Sequence, residues 1–131
     1  MTPEQELLRD KLKYGGDVYK HIESLRLYIR ENENIQSGLH DARMQELIQQ
    51  QNSELKWEYN RLLDIRCKID TCIRTIDDEE LKALLIMRYL GHISTLEIAE
   101  KMHYGRNTVN RKHKAALNKL IESGADKILD Y

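Results

Sequence analysis

The chain has 131 residues, enough for one modest hydrophobic core or a small domain with an extended helical element, and too few for two large domains. Hydrophobic residues make up 40% and charged residues 33%, with one Pro and no Phe, which is typical of an all-α protein. No apolar run approaches the roughly 20 residues that cross a bilayer, and the N-terminal segment lacks a signal peptide's apolar core. We therefore expect a cytoplasmic protein without a membrane partner.

The net charge of −1 hides a difference between two parts of the chain. Residues 1–80 contain 17 acidic and 12 basic residues, whereas residues 81–131 contain 5 acidic and 9 basic residues. Between Lys101 and Lys119 there are six Lys or Arg residues and no acid. Such a basic block is either a solvated helix face or a surface that meets a polyanion.

The N-terminal part predicts two helices and a loop. The first helix covers about Pro3–Tyr14, because Pro suits an early helix position and the Gly15-Gly16 pair then interrupts the pattern. Asp17 can cap a second helix that continues to about residue 31 with apolar residues at helical spacing. Residues 32–41 are rich in Asn, Ser and Gly, which predicts a loop.

A long helix should follow from about residue 42 to residue 75, because no Gly or Pro interrupts this stretch. An apolar stripe with 4-3 spacing is broken at Arg66, where the neighbouring Ile65 can compensate. The stripe consists of Leu55, Tyr59, Leu62, Ile69, Ile73 and Ile76. It can pack against the preceding helix as a hairpin, or against a second copy as a homodimer through residues 42–76. Residues 1–76 are thus predicted to be a helical hairpin or coiled-coil segment for oligomerisation or partner binding.

The sequence gives little sign of catalytic or metal chemistry. It has no Gly-rich phosphate loop and no paired metal-ligand motif, and its five His residues are scattered, so we expect no enzyme, no metal and no cofactor. Cys67 and Cys72 match neither a redox motif nor a zinc cluster, and we interpret both as reduced packing residues. Trp57 is also interpreted as a packing residue.

Residues 77–122 predict three short helices, followed by a C-terminal tail at 123–131. Asp77 with Glu80 forms a capping-box pattern that starts a helix ending at Gly91. Its residues available for burial are Leu81, Leu84, Leu85 and Tyr89. Ser94 with Glu97 repeats the pattern at the start of the next helix.

The last two predicted helices cover Thr95–Met102 and Arg106–Ile121, separated by a turn that contains Gly105. Their inward residues should be Leu96, Ile98, Ala99, Met102, Val109, Ala116, Leu117 and Leu120. Two helices that cross over a short turn need a small residue where they touch, and Ala99 stands at that place. The pattern favours a helix-turn-helix.

The outward side of the last helix carries side chains that suit DNA. Arg pairs bidentately with guanine and Asn with adenine in the major groove, whereas Lys mostly binds phosphates. The residues expected to approach bases are Arg106, Asn107, Asn110 and Arg111. Those expected at phosphates are Lys101, Thr108, Lys112, His113 and Lys114. His113 can equally be a hydrogen-bonded core histidine.

Four short segments in this region resemble region 4 of bacterial sigma factors, in register and without a gap. They are Arg88-Tyr89-Leu90, Glu97-Ile98-Ala99-Glu100, Thr108-Val109, and Ala116-Leu117 with Leu120. The layout of a helical hairpin before such a module resembles phage and prophage transcriptional regulators of the ArpU and RinA types. The resemblance implies sequence-specific binding of double-stranded DNA, contact with RNA polymerase, and either activation of late phage genes or regulation of a neighbouring operon. His103 stands where the sigma pattern has glycine, and Gly105 stands where a capping Ser is common.

Two other functions fit the same sequence. In the first, the region-4-like module would bind RNA polymerase or a sigma factor more than DNA, which the acidic N-terminal part makes plausible. A phage packaging adaptor similar to small terminase subunits would also combine a helix-turn-helix with coiled segments, and would form rings.

Overall fold

A computed structural model describes all residues from Met1 to Tyr131, and they form helices without a strand, which confirms the all-α prediction. The five α-helices are α1 (Pro3–Gly38), α2 (Ala42–Arg74), α3 (Glu79–Leu85), α4 (Thr95–Met102) and α5 (Arg106–Ser123). A π-helical turn, Ile86–Leu90, continues α3, and a 3₁₀ turn, Ala125–Ile128, follows α5. None of these helices combines the length and the apolar character that crossing a bilayer requires.

The helix α1 is continuous over 36 residues, so the predicted break at Gly15-Gly16 is wrong. It begins with a capping box in which Thr2 Oγ1 accepts from the Gln5 N–H and the Gln5 side chain accepts from the Thr2 N–H. The predicted loop over residues 32–41 is also wrong, because α1 continues to Gly38 and only residues 39–41 are outside helices. Asp17 therefore lies inside the helix.

Close packing explains why α1 keeps both glycines. A Cβ atom at Gly15 would lie 1.7 Å from Ile69 Cδ1, and one at Gly16 would lie 2.4 Å from the Tyr89 carbonyl oxygen. Each glycine costs roughly 0.5–1 kcal/mol of helix stability relative to alanine. The contacts made possible by the missing side chains offset this cost, so tertiary packing overrides the local signal.

The helices α1 and α2 form an antiparallel hairpin, with the apolar stripe of α2 packed inside the chain. Leu62, Ile69 and Ile73 are buried, and the buried Ile65 replaces the exposed Arg66 as the spacing predicts. Of the two predicted partners for the stripe, the preceding helix and a second copy, the structure shows the preceding helix. Within one copy the stripe is therefore covered at Leu62, Ile69, Ile73 and Ile76, while Leu55 and Tyr59 are half-buried.

Two packing predictions for α2 are wrong. Trp57 is 68% exposed, and Cys67 is exposed as well. Cys72 is fully buried, and this burial raises the pKa of its thiol to about 11.

The C-terminal helices follow the predicted boundaries closely. The helix α4 covers the predicted residues, and α5 extends two residues beyond its predicted end. The cap of α3 is Asp78 rather than Asp77, because the Asp78 carboxylate accepts from the N–H groups of Glu80 and Leu81. The predicted tail packs against the hairpin: Leu129 is fully buried, and the Tyr131 hydroxyl donates to the Lys11 carbonyl over 2.9 Å.

The buried side chains concentrate in one part of the molecule, which we call the packed end (residues 1–22 and 62–131). One hydrophobic cluster there joins Leu12 of α1, Ile69 of α2, Leu84 of α3 and Leu117 of α5. The remaining part of the hairpin, residues 23–61, is called the hairpin tip, and its buried residues are Ile29, Asn32 and Asn52. In the packed end α5 packs against α1, and α4 packs against α5 and the π-helical turn.

Candidate nucleic-acid interface

A three-residue turn, 103–105, joins α4 to α5. The helix α4 is capped by Ser94, whose hydroxyl accepts from the Glu97 N–H over 3.2 Å. It ends at His103, which has the left-handed conformation (φ 59°, ψ 39°), and the Tyr104 N–H then donates to the Ala99 carbonyl. A non-glycine residue in this conformation costs roughly 1–2 kcal/mol. His103 therefore takes up the geometry that a glycine usually supplies at a helix end.

The two helices touch through small and branched apolar side chains. Ile98 and Ala99 of α4 and Val109 of α5 are buried, as predicted. Met102 is partly buried. Leu96 was expected to point inward, and this is wrong because its side chain is 60% exposed.

Four polar side chains share one exposed side of α5, which we call the outer face: Asn107, Asn110, Arg111 and Lys114. At 100° per residue they fall within an arc of about 100°. Arg106 is exposed at the start of the helix, beside this arc. None of the five makes a side-chain hydrogen bond or ion pair within the chain, so their donors are available to a ligand.

The opposite side of α5 is the inner face, and it packs against the core. Val109, Ala116, Leu117 and Leu120 are buried there, as predicted. His113 also lies on this face and is 2% exposed, with its Nε2 hydrogen-bonded to the Tyr89 hydroxyl over 2.6 Å. The expected contact of His113 with a DNA phosphate is therefore wrong. His113 is instead a hydrogen-bonded core histidine, which was the alternative interpretation.

Burial fixes the charge state of the Tyr89–His113 pair. Desolvation, together with the positive charges of Arg88 and Arg9, lowers the pKa of His113 to about 3. Desolvation also raises the pKa of Tyr89 to about 12. Both groups are therefore neutral near pH 7, and their hydrogen bond ties α5 to the π-helical turn.

The structure separates the residues expected at phosphates. Lys101 and Lys114 are exposed and have no acidic partner. Lys112 instead pairs with Glu80 of α3 over 2.5 Å, and its ammonium lies 5.0 Å from the centroid of the Tyr104 ring. Thr108 is half-buried on the same flank of α5 as Lys112. Lys112 thus points toward α3 and away from the outer face.

The start of α1 packs against α5 at the C-terminal end of the outer face. The Gln5 side chain is buried, and its Nε2 donates to Asn118 Oδ1 over 2.8 Å. Asn118 follows Lys114 by one turn on the same side of α5. Sequence reasoning missed this contact, since the capping pattern of Thr2 and Gln5 signals only a helix start.

The electrostatics of this region favour an anionic partner. The stretch from Lys101 to Lys119 has no acidic residue, and the one carboxylate of α5, Glu122, follows Lys114 by eight residues. No group of three or more His, Cys, Asp or Glu side chains is arranged to hold a metal ion. The chemistry of the outer face is therefore that of exposed amide and cationic donors.

Comparison with known proteins gave no match, whether with family models, with curated proteins or with solved structures. Support for a function therefore comes from the geometry and the charges of α4 and α5.

Proposed function

We propose that the protein is a sequence-specific DNA-binding transcriptional regulator in which α4 and α5 act as a helix-turn-helix. The observation that carries this proposal is the outer face of α5, which exposes two Asn, one Arg and one Lys without partners while the inner face is fully packed. On the resemblance to phage and prophage regulators, its targets would be phage genes. The helix α5 would lie in the major groove of double-stranded DNA.

The donor types on the outer face match the edges of base pairs. A guanidinium donates bidentately to the O6 and N7 atoms of guanine, and a carboxamide both donates to and accepts from adenine. Arg111, Asn107 and Asn110, with Arg106 at the helix start, are the proposed base contacts. Lys114 and Lys101 are the proposed phosphate contacts, which add affinity without sequence information.

Selection from a random duplex library tests the proposal and supplies the target sequence. The full chain should enrich a motif, and fluorescence anisotropy should show tighter binding to that motif than to scrambled DNA. A good bidentate contact is worth about 1–3 kcal/mol of discrimination. Arg111→Ala and Asn110→Ala should therefore reduce the preference for the motif by about 5- to 150-fold.

Two lysine variants serve as controls. Lys114→Ala should weaken binding to both DNAs alike and reduce the slope of log affinity against log salt by about 0.9. Lys119→Ala removes the same charge about 80° away from Arg111 around α5 and two turns further on, and should have a smaller effect on both. If the library yields no motif, or if Arg111→Ala weakens binding to the motif and to scrambled DNA equally, as Lys114→Ala is expected to do, sequence-specific recognition by α5 is contradicted.

A second candidate function, binding of RNA polymerase or a sigma factor, is favoured by the exposure of Leu96 on α4. Leu96 lies beside the exposed Glu97, one turn before the exposed Glu100, which makes a small apolar and acidic patch. Pull-down of purified polymerase by the wild type and by Leu96→Ala tests it. Retention of polymerase that is lost in Leu96→Ala, with DNA binding intact, would favour this function.

The proposed homodimer through residues 42–76 has a restricted set of contacts available. The stripe of α2 is covered by α1, so the exposed Met44, Leu47 and Trp57 are the large apolar side chains that α2 leaves for a second copy. Sedimentation equilibrium of the wild type and of Trp57→Ala distinguishes a dimer from a monomer. A ring of higher order would instead support the packaging adaptor.

A further inference from the structure

A cleft of about 480 Å³ lies between α1 and the π-helical turn, away from the outer face residues. Two arginines and two lysines line it: Arg9, Lys13, Lys20 and Arg88. Its volume lies within the range of small-molecule sites, roughly 300–1,000 Å³. The cleft is therefore large enough for a ligand that carries one or more phosphate groups.

The three cations of α1 share one side of the helix. Arg9, Lys13 and Lys20 follow the spacing i, i+4 and i+11, and Gly16 at i+7 lies between them on the same side. The missing side chain at Gly16 allows the Tyr89 carbonyl to approach, since a Cβ atom there would lie 2.4 Å from that oxygen. This close approach places Arg88, the neighbour of Tyr89, opposite the basic side of α1.

The cleft has more positive than negative charge. It contains two carboxylates, and each already has a cationic neighbour: Asp10 lies 3.3 Å from Arg9, and Asp17 lies 4.0 Å from Lys20. Lys13 makes no ion pair. Arg88 also lacks a carboxylate, since its contacts are the Thr95 hydroxyl at 3.4 Å and the face of the Tyr89 ring.

The backbone beside the cleft is specialised as well. His92 lines it and has a left-handed conformation with φ 55°. Its ring stacks on Tyr19 of α1 with the centroids 6.2 Å apart, which holds the segment after the π-helical turn against α1. Turns of π-helix inside α-helices are frequent at functional sites, and here the turn supplies Arg88 and Tyr89 to the cleft.

We propose that this cleft binds a phosphate group through Lys13 and Arg88, with Arg9 and Lys20 adding charge. A guanidinium fits phosphate oxygens bidentately, and an ammonium adds a point charge. The site does not rest on the DNA-binding proposal. The cleft is nevertheless connected to the helix proposed to bind DNA, because Tyr89 forms one wall of the cleft and is hydrogen-bonded to His113 of α5. A bound phosphate would therefore act on the back of the helix whose outer face is proposed to contact DNA.

Titration of inorganic pyrophosphate into the full chain, followed by amide NMR at constant ionic strength set with chloride, tests the site without DNA. We expect saturable shifts at Gly16, Tyr89 and His92, and at least fivefold weaker binding by Lys13→Gln and by Arg88→Gln. Arg30→Gln is the matched control, because Arg30 is an exposed cation of the same helix outside the cleft. Absence of saturable shifts up to 10 mM, or wild-type binding by Lys13→Gln, would overturn the proposal.

Two sources of phosphate are separated by adding duplex DNA of scrambled sequence to the pyrophosphate complex. If pyrophosphate stays bound and changes the affinity for DNA, the ligand is a free phosphate compound that acts on α5. If the duplex displaces pyrophosphate, and Lys13→Gln reduces the salt slope of DNA binding by about 0.9, the cleft holds a phosphate of the DNA backbone. Either outcome supports a phosphate site in this cleft.

Discussion

The packed end and the hairpin tip share the two long helices α1 and α2, but they are stabilised very differently. Of the 29 buried residues, the tip contributes Ile29, Asn32 and Asn52, and all others belong to the packed end. In the tip, Asn32 Nδ2 and Asn52 Oδ1 are buried without a hydrogen-bond partner. A continuous helix therefore does not imply uniform stability. Burial fixes α1 and α2 where α3, α5 and the two short turns cover them, and the tip depends on fewer contacts.

The largest expected effect comes from removing core volume in the packed end. Leu84 is fully buried, so Leu84→Ala should lower the free energy of unfolding by about 2–5 kcal/mol in urea titrations. Leu47 in the tip is 52% exposed, and Leu47→Ala should change it by less than about 0.5 kcal/mol. Equal losses at the two sites would break the distinction between the two parts.

Acidification should also weaken the packed end, through His113. The pKa of His113 is lowered to about 3 by burial, below its ordinary value of 6.5, so the unfolded chain binds a proton that the folded chain does not. The contribution of His113 to the free energy of unfolding is fully present above pH 6.5 and declines as the pH falls toward 3. Between pH 7.5 and pH 5 the loss from this group is about 2 kcal/mol, measurable by urea unfolding at each pH.

Two variants check the origin of that pH dependence. His113→Gln should remove this part of the slope. Tyr89→Phe should keep it, because burial rather than the hydrogen bond is the main cause of the low pKa. A flat profile in Tyr89→Phe would assign the effect to the hydrogen bond instead.

Glycine substitutions compare the two parts along α1 itself. Gly16→Ala places a methyl group against the Tyr89 carbonyl and should destabilise the protein by about 1–3 kcal/mol, because backbone has to move. A Cβ atom added at Gly38 would have nothing within 4 Å, so Gly38→Ala should be neutral or stabilising by up to about 1 kcal/mol. Thermal unfolding of the two variants should therefore shift in opposite directions, or at Gly16 alone.

The last expected effect is a gain of stability in the tip. Replacing both partnerless amides, as Asn32→Leu with Asn52→Leu, removes two buried polar atoms that lack hydrogen bonds. The double variant should gain about 1 kcal/mol, seen as a higher unfolding temperature. A loss of stability would mean that these amides are satisfied in solution, for instance by water.

Sequence patterns predicted the elements whose signals are local. The boundaries of α4 and the inner face of α5 followed from capping residues and apolar spacing. The continuity of α1 through Gly15 and Gly16 did not, because its cause is the approach of Ile69 and Tyr89 from distant parts of the chain.

The candidate site divides in the same way. Spacing along one helix predicted that Asn107, Asn110, Arg111 and Lys114 would share an exposed side of α5. It did not predict that Glu80 would pair with Lys112, or that Tyr89 would bury His113, since both contacts join residues 24 or more positions apart. The spacing of Arg9, Lys13 and Lys20 was visible in the sequence. Nothing in the sequence indicated that Arg88 would lie opposite them in the fold.

The length of α1 has a practical consequence for single-molecule and surface-based work. The helix begins beside Asn118 of α5 and ends at Gly38, and at 1.5 Å per residue the 33 positions from Gln5 to Gly38 span about 50 Å. The short loop at residues 39–41 is thus a remote attachment point for a fluorophore, a biotin or an inserted reporter domain. A sensor surface coupled there would leave α5 turned toward the solution.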